Sequence, residues 1–318
     1  MATPTVQWYR TPIPQEELHA LMARSNLRGF VFVGLHFGLL FCTGYLFLYC
    51  YAQGIYYLLP LLLMLHGMIF SFLGYAGLGH ELNHRTVFKS SRLNDFFFML
   101  VSLLTWNNFL YFRRSHLLHH KYTVYGDLDG EVRLPQTLVL QDMVTLLFFD
   151  FRLFARAVQI LSENARNIIK GEFGNRLFPL ESPQRKRLVL WARFVLAFHA
   201  ITALLFMLSG YWQYILLINL APFFFTLVNR VLAQAQHYGM QAGTEDYRTN
   251  TRTVMLHPFL AFLYWQMNYH VEHHMFPAVP FFRLKHLSGM LAHDLPKPAI
   301  GLYRLMREML RIHSQKDL

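Results

Sequence analysis

The sequence predicts an all-α integral membrane protein: four transmembrane helices in two hairpins, with a cytoplasmic helical cap that carries clustered histidines. Three observations predict it. Only 15% of the 318 residues are charged and 54% are hydrophobic, where an average soluble domain carries about 25% charge. Four long stretches lack acidic and basic residues almost entirely. The two loops that join them in pairs are tiny and uncharged.

Residues 1–28 are polar and broken by prolines. They lack the basic start and short apolar core of a secretory signal, so none is expected to be cleaved. Pro14 followed by Glu16 and Glu17 reads as the first turn of a short helix. Its Leu18, Leu21 and Met22 are expected to face the membrane surface. Segment 29–50 contains no Lys, Arg, Asp or Glu, and at about 1.5 Å per residue it spans about 30 Å of hydrocarbon. Segment 54–78 is equally free of charge and is its hairpin partner. Segment 188–208 carries one Arg193 near its start, placed to snorkel, and pairs with 211–228 across Ser209 and Gly210. Cys42 and Cys50 lie in one apolar stretch and suggest neither a disulfide framework nor a metal site.

Charge sets the expected topology. Neither hairpin loop holds Lys or Arg, so the positive-inside rule places 1–28, 79–187 and 229–318 in the cytoplasm, with both termini inside. The chain is expected to be a single domain built from these regions and the hairpins 29–78 and 188–228. The net charge of +11 then belongs to a membrane surface. No basic run with interleaved aromatics points to nucleic acid. Segments 93–112, 138–158 and 258–269 are apolar but interrupted or short, and are expected to be interfacial or partly inserted.

Histidines carry the chemistry. His80 and His84 form HELNH, His116, His119 and His120 form HLLHH, and His270, His273 and His274 form HVEHH. His237 follows the fourth apolar stretch in QAQHYG. Positions three and four apart share a helix face, so each cluster aims imidazoles at one point. Buried clustered histidines would repel when protonated and lose solvation, and a metal removes both problems by binding the neutral ring. Nine imidazoles exceed an octahedral shell and point to two metals. Imidazole suits zinc, copper, iron and nickel, so spacing leaves the element open. His36, His66, His199, His257, His286 and His293 are read as structural, and His19 and His313 as exposed.

The pattern HxxxH, HxxHH, HxxHH between apolar hairpins resembles the signature of the membrane fatty acid desaturase superfamily, over residues 80–287. The run NYHVEHHMFPAVPFFRL is similar to acyl-chain desaturases in particular. The resemblance implies two Fe ions in a non-haem centre held by the box histidines, with His237 matching the family's extra histidine. It implies O2 as co-substrate and a double bond introduced into a fatty acyl or lipid-like alkyl chain. The same superfamily holds hydroxylases and related lipid oxidases, and hydroxylation or oxidative decarboxylation is the alternative outcome. The first box has three intervening residues where stearoyl-CoA-type enzymes have four. The third starts with His270 where front-end desaturases have Gln, and Ala233 stands where the stearoyl-CoA type has an asparagine. No HPGG-type segment is present, so electrons are expected from a separate donor of ferredoxin, rubredoxin or cytochrome b5 type.

Ligating histidines donate their second N–H to a carboxylate or carbonyl. Glu81, Asp127, Glu272 and Asn268 are the expected partners, with Asp129 and Asn83 behind them. Trp106, Asn107 and Asn108 are weighed as an acyl-channel lining, and Arg113, Arg114 and Lys121 as a docking site for an acidic headgroup or electron carrier. A membrane metal transporter or sensor is the competing class. It would need polar residues along the spans, which hold little beyond His36, His66, His199 and Arg193.

Overall fold

The computed structural model describes residues 5–134, 136 and 145–316. The described chain is mainly helical, with one pair of two-residue parallel strands, β1 (Val254–Met255) and β2 (Ala299–Ile300).

Helix α1 (Gln15–Leu21) starts after Pro14 with Glu16 and Glu17 in its first turn. Its apolar face does not lie on a membrane surface as expected. Leu21 is buried against Tyr247, Tyr269, Val271 and Met275, with Leu18 and Met22 packed beside it. The helix covers the underside of the third histidine box, whose apolar residues would otherwise face water.

Helix α2 (Asn26–Ala52) starts where the Ser25 hydroxyl accepts from the Arg28 amide, a standard N-cap. It is 27 residues long. Among the described residues, it and α9 (Pro183–Leu208) are the two helices long and apolar enough to cross a membrane. Both show large apolar side chains outward, among them Leu27, Phe41, Leu204 and Leu208. An apolar surface of that extent marks contact with lipid or another protein. The amphipathic α7 (Phe151–Ala165) packs along α9. Of the expected segment 138–158, residues 138–144 lie outside the described residues.

The return legs differ from expectation. After a single turn at Tyr56–Leu58, α3 (Leu59–Ser71) ends well before residue 78. The chain then folds tightly through the glycines that follow: a Cβ on Gly77 would lie 2.1 Å from the Phe72 carbonyl oxygen. That turn aims α4 (Leu78–Asn83), the first box, back into the protein. The second return leg, 211–228, is not one helix. It is a π-turn at Ile215–Asn219 and a short turn at Ala221–Phe223. Pro222 cannot donate to a helical ladder, and side chains take over the carbonyls left free. His66 Nε2 donates to Leu217 O (2.9 Å) and Trp106 Nε1 to Asn219 O (2.7 Å). His36 and His199 likewise donate to Ile69 O and Leu103 O, near the ends of neighbouring helices. Irregular backbone in an apolar setting needs such internal partners.

This leg lies so close to α3 that a Cβ on Gly67 would sit 2.5 Å from Phe224 O and 2.4 Å from its Cβ. Gly67→Ala is therefore expected to cost about 1–3 kcal/mol, read as a lower melting temperature of the purified protein. An unchanged melt would mean the two legs are not in backbone contact.

The remaining elements carry the histidines. Segment 93–112 is two helices, α5 (Ser91–Leu104) and the start of α6 (Phe109–Lys121), broken at Trp106 with φ of 56°. α8 (Glu172–Leu177) precedes α9, and α10 (Leu227–Ala235) leads to His237. α11 (Tyr247–Asn250) comes next, ahead of β1. Segment 258–269 holds α12 (Pro258–Leu263) and a reversal through Trp265 and Gln266, both at positive φ. α13 (His270–Met275) is the third box; α14 (Phe281–Leu291) and α15 (Gly301–Lys316) close the chain.

Candidate metal centre

Three short helices from distant parts of the sequence meet in one buried core. The structure brings all nine singled-out histidines together there, in two groups. His80, His84, His116, His120 and His273 form one; His119, His237, His270 and His274 form the other. Within each, the candidate ligand atoms lie within 4.8 Å of one another. The partition follows helical geometry. Each i, i+4 pair feeds one group: His80 with His84, His116 with His120, His270 with His274. The middle histidine of each longer box, His119 of HLLHH and His273 of HVEHH, about 100° round the helix from its neighbour, crosses to the other group.

The ring nitrogens face inward. Nε2 of His84 and of His120 each lie 3.0 Å from Nε2 of His116, and His273 Nε2 lies 3.2 Å from that of His120. In the other group His270 Nε2 lies 3.2 Å from His237 Nε2 and 3.0 Å from His274 Nε2. His80 Nε2 is buried with no hydrogen bond. Neutral imidazoles whose outer nitrogens donate outward would point lone pairs at each other here. Two nitrogens about 2.1 Å from one cation, at right angles, lie about 3 Å apart. The donor set therefore fits a metal in each group.

Electrostatics agree with ligation. Burial, reinforced by neighbouring imidazoles, holds His80, His116, His120, His270, His273 and His274 well below the usual histidine pKa. Burial takes His84 and His237 down to about 3. All eight are thus neutral, with lone pairs free to bind. His119 is the exception: burial lowers it, but the Asp129 carboxylate outweighs burial and raises it.

The outer partners differ from those expected. His119 Nδ1 donates to Asp129 Oδ2 (2.8 Å), His116 Nδ1 to Glu131 Oε2 (2.8 Å), and His237 Nδ1 to Asn250 O (2.8 Å). These bonds leave Nε2 for the interior, the arrangement that fixes tautomer and ring orientation in metal sites. Glu81 is where it was expected, 3.4 Å from His80 Nδ1, and it also accepts from Thr86 Oγ1. Burial lifts its carboxyl to about 8 and that of Glu131 to about 7.

Asp127 is a correction: its side chain is 95% exposed and reaches only toward Arg133. Residues Gly126–Leu128 form a turn that swings it outward, whereas Asp129 is extended, so Asp129 and Glu131 share the inward face. Glu272 and Asn268 also bond no imidazole. Glu272 accepts from Thr253 Oγ1 (2.5 Å), and Asn268 donates to Val254 O (2.9 Å), pinning the chain beside β1. Sequence reasoning missed Glu131; the alternation of Asp129 and Glu131 behind HLLHH was the available signal. The Asn250 carbonyl carries no such signal.

Trp106 stacks on His199 with centroids 3.9 Å apart, and Asn108 donates to Leu188 O. Both fasten α6 to α9. Arg113 pairs with Asp95, while Arg114 donates to Leu177 O and lies over Phe178. Both cations are thus engaged inside the fold.

Compared with known protein families, the chain matches the fatty acid desaturase family model over residues 56–304, more than three quarters of its length. No curated protein matches it.

Proposed function

The chain belongs to the fatty acid desaturase family, and from that membership we propose that it is an O2-dependent di-iron oxidase that introduces a double bond into a fatty acyl or lipid-like alkyl chain. The observation that carries this reading is the convergence of nine imidazoles into a group of five and a group of four. One iron would be held by His80, His84, His116, His120 and His273. The other would be held by His119, His237, His270 and His274. Bound iron supplies the strong, O2-derived oxidant that an unactivated C–H bond requires.

The chain's own residues do the rest. Asp129, Glu131 and the Asn250 carbonyl hold Nδ1–H of three histidines and so fix which nitrogen faces inward. Burial keeps the rings other than His119 neutral, with lone pairs available to a metal. The overall balance converts –CH2–CH2–, O2, two electrons and two protons into –CH=CH– and two waters. The electrons come from a separate carrier of ferredoxin, rubredoxin or cytochrome b5 type.

The topology proposed is four crossing legs. α2 with α3 forms the first hairpin, and α9 with the irregular 211–225 leg forms the second, while residues 1–28, 79–187 and 229–318 lie on the cytoplasmic side with the site. The whole of 1–318 is one domain.

The test combines metal analysis with product identification. Purified protein is expected to hold two irons per chain. Membranes supplied with acyl substrate, O2 and a reductant are expected to yield an alkene-containing chain by mass spectrometry. An alcohol as the sole product, or zinc in place of iron, would overturn the assignment.

A further inference from the structure

We infer that the N-terminal segment of residues 8–11 is part of the metal centre's outer shell, with Trp8 and Tyr247 as positioning residues for the second-box helix. The inference rests on the metal reading above; the strap bearing Trp8 lies outside the family match, which covers residues 56–304, while its partner Tyr247 lies within it.

The argument starts from the end of α6. A helix leaves its last four carbonyls without intrahelical partners, and here those belong to Leu118, His119, His120 and Lys121. All four are satisfied, each differently. Leu118 O accepts from the Tyr122 amide (2.8 Å), and His119 O from the Thr123 hydroxyl (2.7 Å). The other two partners come from far away in sequence. His120 O accepts from Tyr247 Oη (3.1 Å), and Lys121 O from Trp8 Nε1 (2.9 Å). Local chain cannot serve them, because the backbone beyond Thr123 turns away: the Val124 amide is already donated to Asp129.

The two aromatic donors form one unit. Their rings stack with centroids 4.3 Å apart and planes 11° from parallel. Tyr247 also lies 5.3 Å from the His274 ring. One side chain therefore touches the backbone of a histidine in the five-membered group and the ring of a histidine in the four-membered group. The segment bearing Trp8 is itself anchored. The Tyr9 amide donates to Glu245 O (2.8 Å), and Arg248 lies 4.0 Å over the Tyr9 ring. Tyr9 and Thr11 hydroxyls both donate to the Asp294 carboxylate, which Arg248 also binds, and Thr11 sits 3.7 Å from the sulfur of Met275, the residue after HVEHH. The strap thus ties the ends of the second and third boxes to each other.

The consequence is positional. Without these two donors the last turn of α6 is free to fray, and His119 and His120 stand in that turn, one in each group. Outer partners of metal ligands are worth about 10–100-fold in metal affinity. Tyr247→Phe, which removes one oxygen and keeps the stacked ring, is expected to speed release of iron to a chelator about tenfold. Trp8→Ala is expected to do so by more, and Trp8→Phe by an intermediate amount. The cobalt-substituted variants are expected to show altered ligand-field absorption at an unchanged melting temperature, which a purely structural role would not produce. Gln7→Ala, on the exposed neighbour, serves as the control. If the wild-type chain binds two metals and Tyr247→Phe and Trp8→Phe match it in release rate and absorption, the strap has no positioning role. A wild-type chain that binds no metal overturns the metal reading, and the strap inference falls with it.

Discussion

With one iron in each histidine group, as proposed, replacing His237 with alanine should leave about one iron per chain in place of two, and turnover reduced by about a thousandfold or more. The size of the effect follows from donor count. His237 belongs to the group of four, whose other members are His119, His270 and His274, so its loss leaves three donors and no spare. Its segment offers no substitute: one turn earlier stands Ala233, whose methyl group cannot coordinate. Removing an outer partner alone is worth about 10–100-fold in affinity, and removing the ligand itself must exceed that. The matched variant is His84→Ala. His84 is in the group of five and is partly exposed, so four donors survive and a smaller loss is expected. Iron content and product yield, measured side by side, decide the matter. A His237→Ala chain that keeps both irons and full turnover would show that His237 is not a metal ligand.

The contrast between the two groups shows what the sequence carries and what it does not. Spacing of three and four marks the histidines of each box as neighbours on a helix, because that is the local geometry of every α-helix. It does not say that His119 and His120 part company, one to each group. That division depends on where His237 and the third box stand, which is long-range packing. The same boundary runs through the fold. Hydropathy marks 211–228 as apolar, which it is, but averaging over the window hides Pro222 and the π-turn before it. The amphipathic pattern of α1 is legible, while the identity of its cover is not. Leu18, Leu21 and Met22 fit a lipid surface and the underside of α13 equally well, and only tertiary structure selects the second. His36, His66 and His199 are single in sequence, unlike the eight histidines of the boxes; His237 is single too, and only its place after the fourth apolar stretch and the family resemblance set it apart. The bonds of the first three to free backbone carbonyls depend on where the helices break.

The three acidic residues behind the second box give the most discriminating chemical test. Asp127, Asp129 and Glu131 alternate along the chain, and composition cannot rank them. Conformation does. The turn at Gly126–Leu128 exposes Asp127 to solvent, so Asp127→Asn should leave metal content and turnover unchanged. Asp129 is fully buried and its carboxylate accepts from four donors: His119 Nδ1 and the amides of Val124, Glu131 and Val132. His119 in turn holds the Asp129 carboxyl down at about 2, against the opposing pull of burial. An asparagine would present an amide NH2 to donors that need an acceptor, and an unmatched buried donor costs about 1–3 kcal/mol. Asp129→Asn should therefore weaken metal binding by about 10–100-fold through misorientation of His119. Glu131→Gln is expected to act more mildly, because a glutamine oxygen can still accept from His116 Nδ1 while its amide NH2 can donate to the Ser115 hydroxyl oxygen, whose own proton can go to Phe112 O. Metal titrations of the three variants should thus fall in the order Asp127→Asn tightest, Glu131→Gln next and Asp129→Asn weakest. Equal effects at Asp127 and Asp129 would mean that the loop after HLLHH turns the other way, and that the histidines on α6 are oriented by something else.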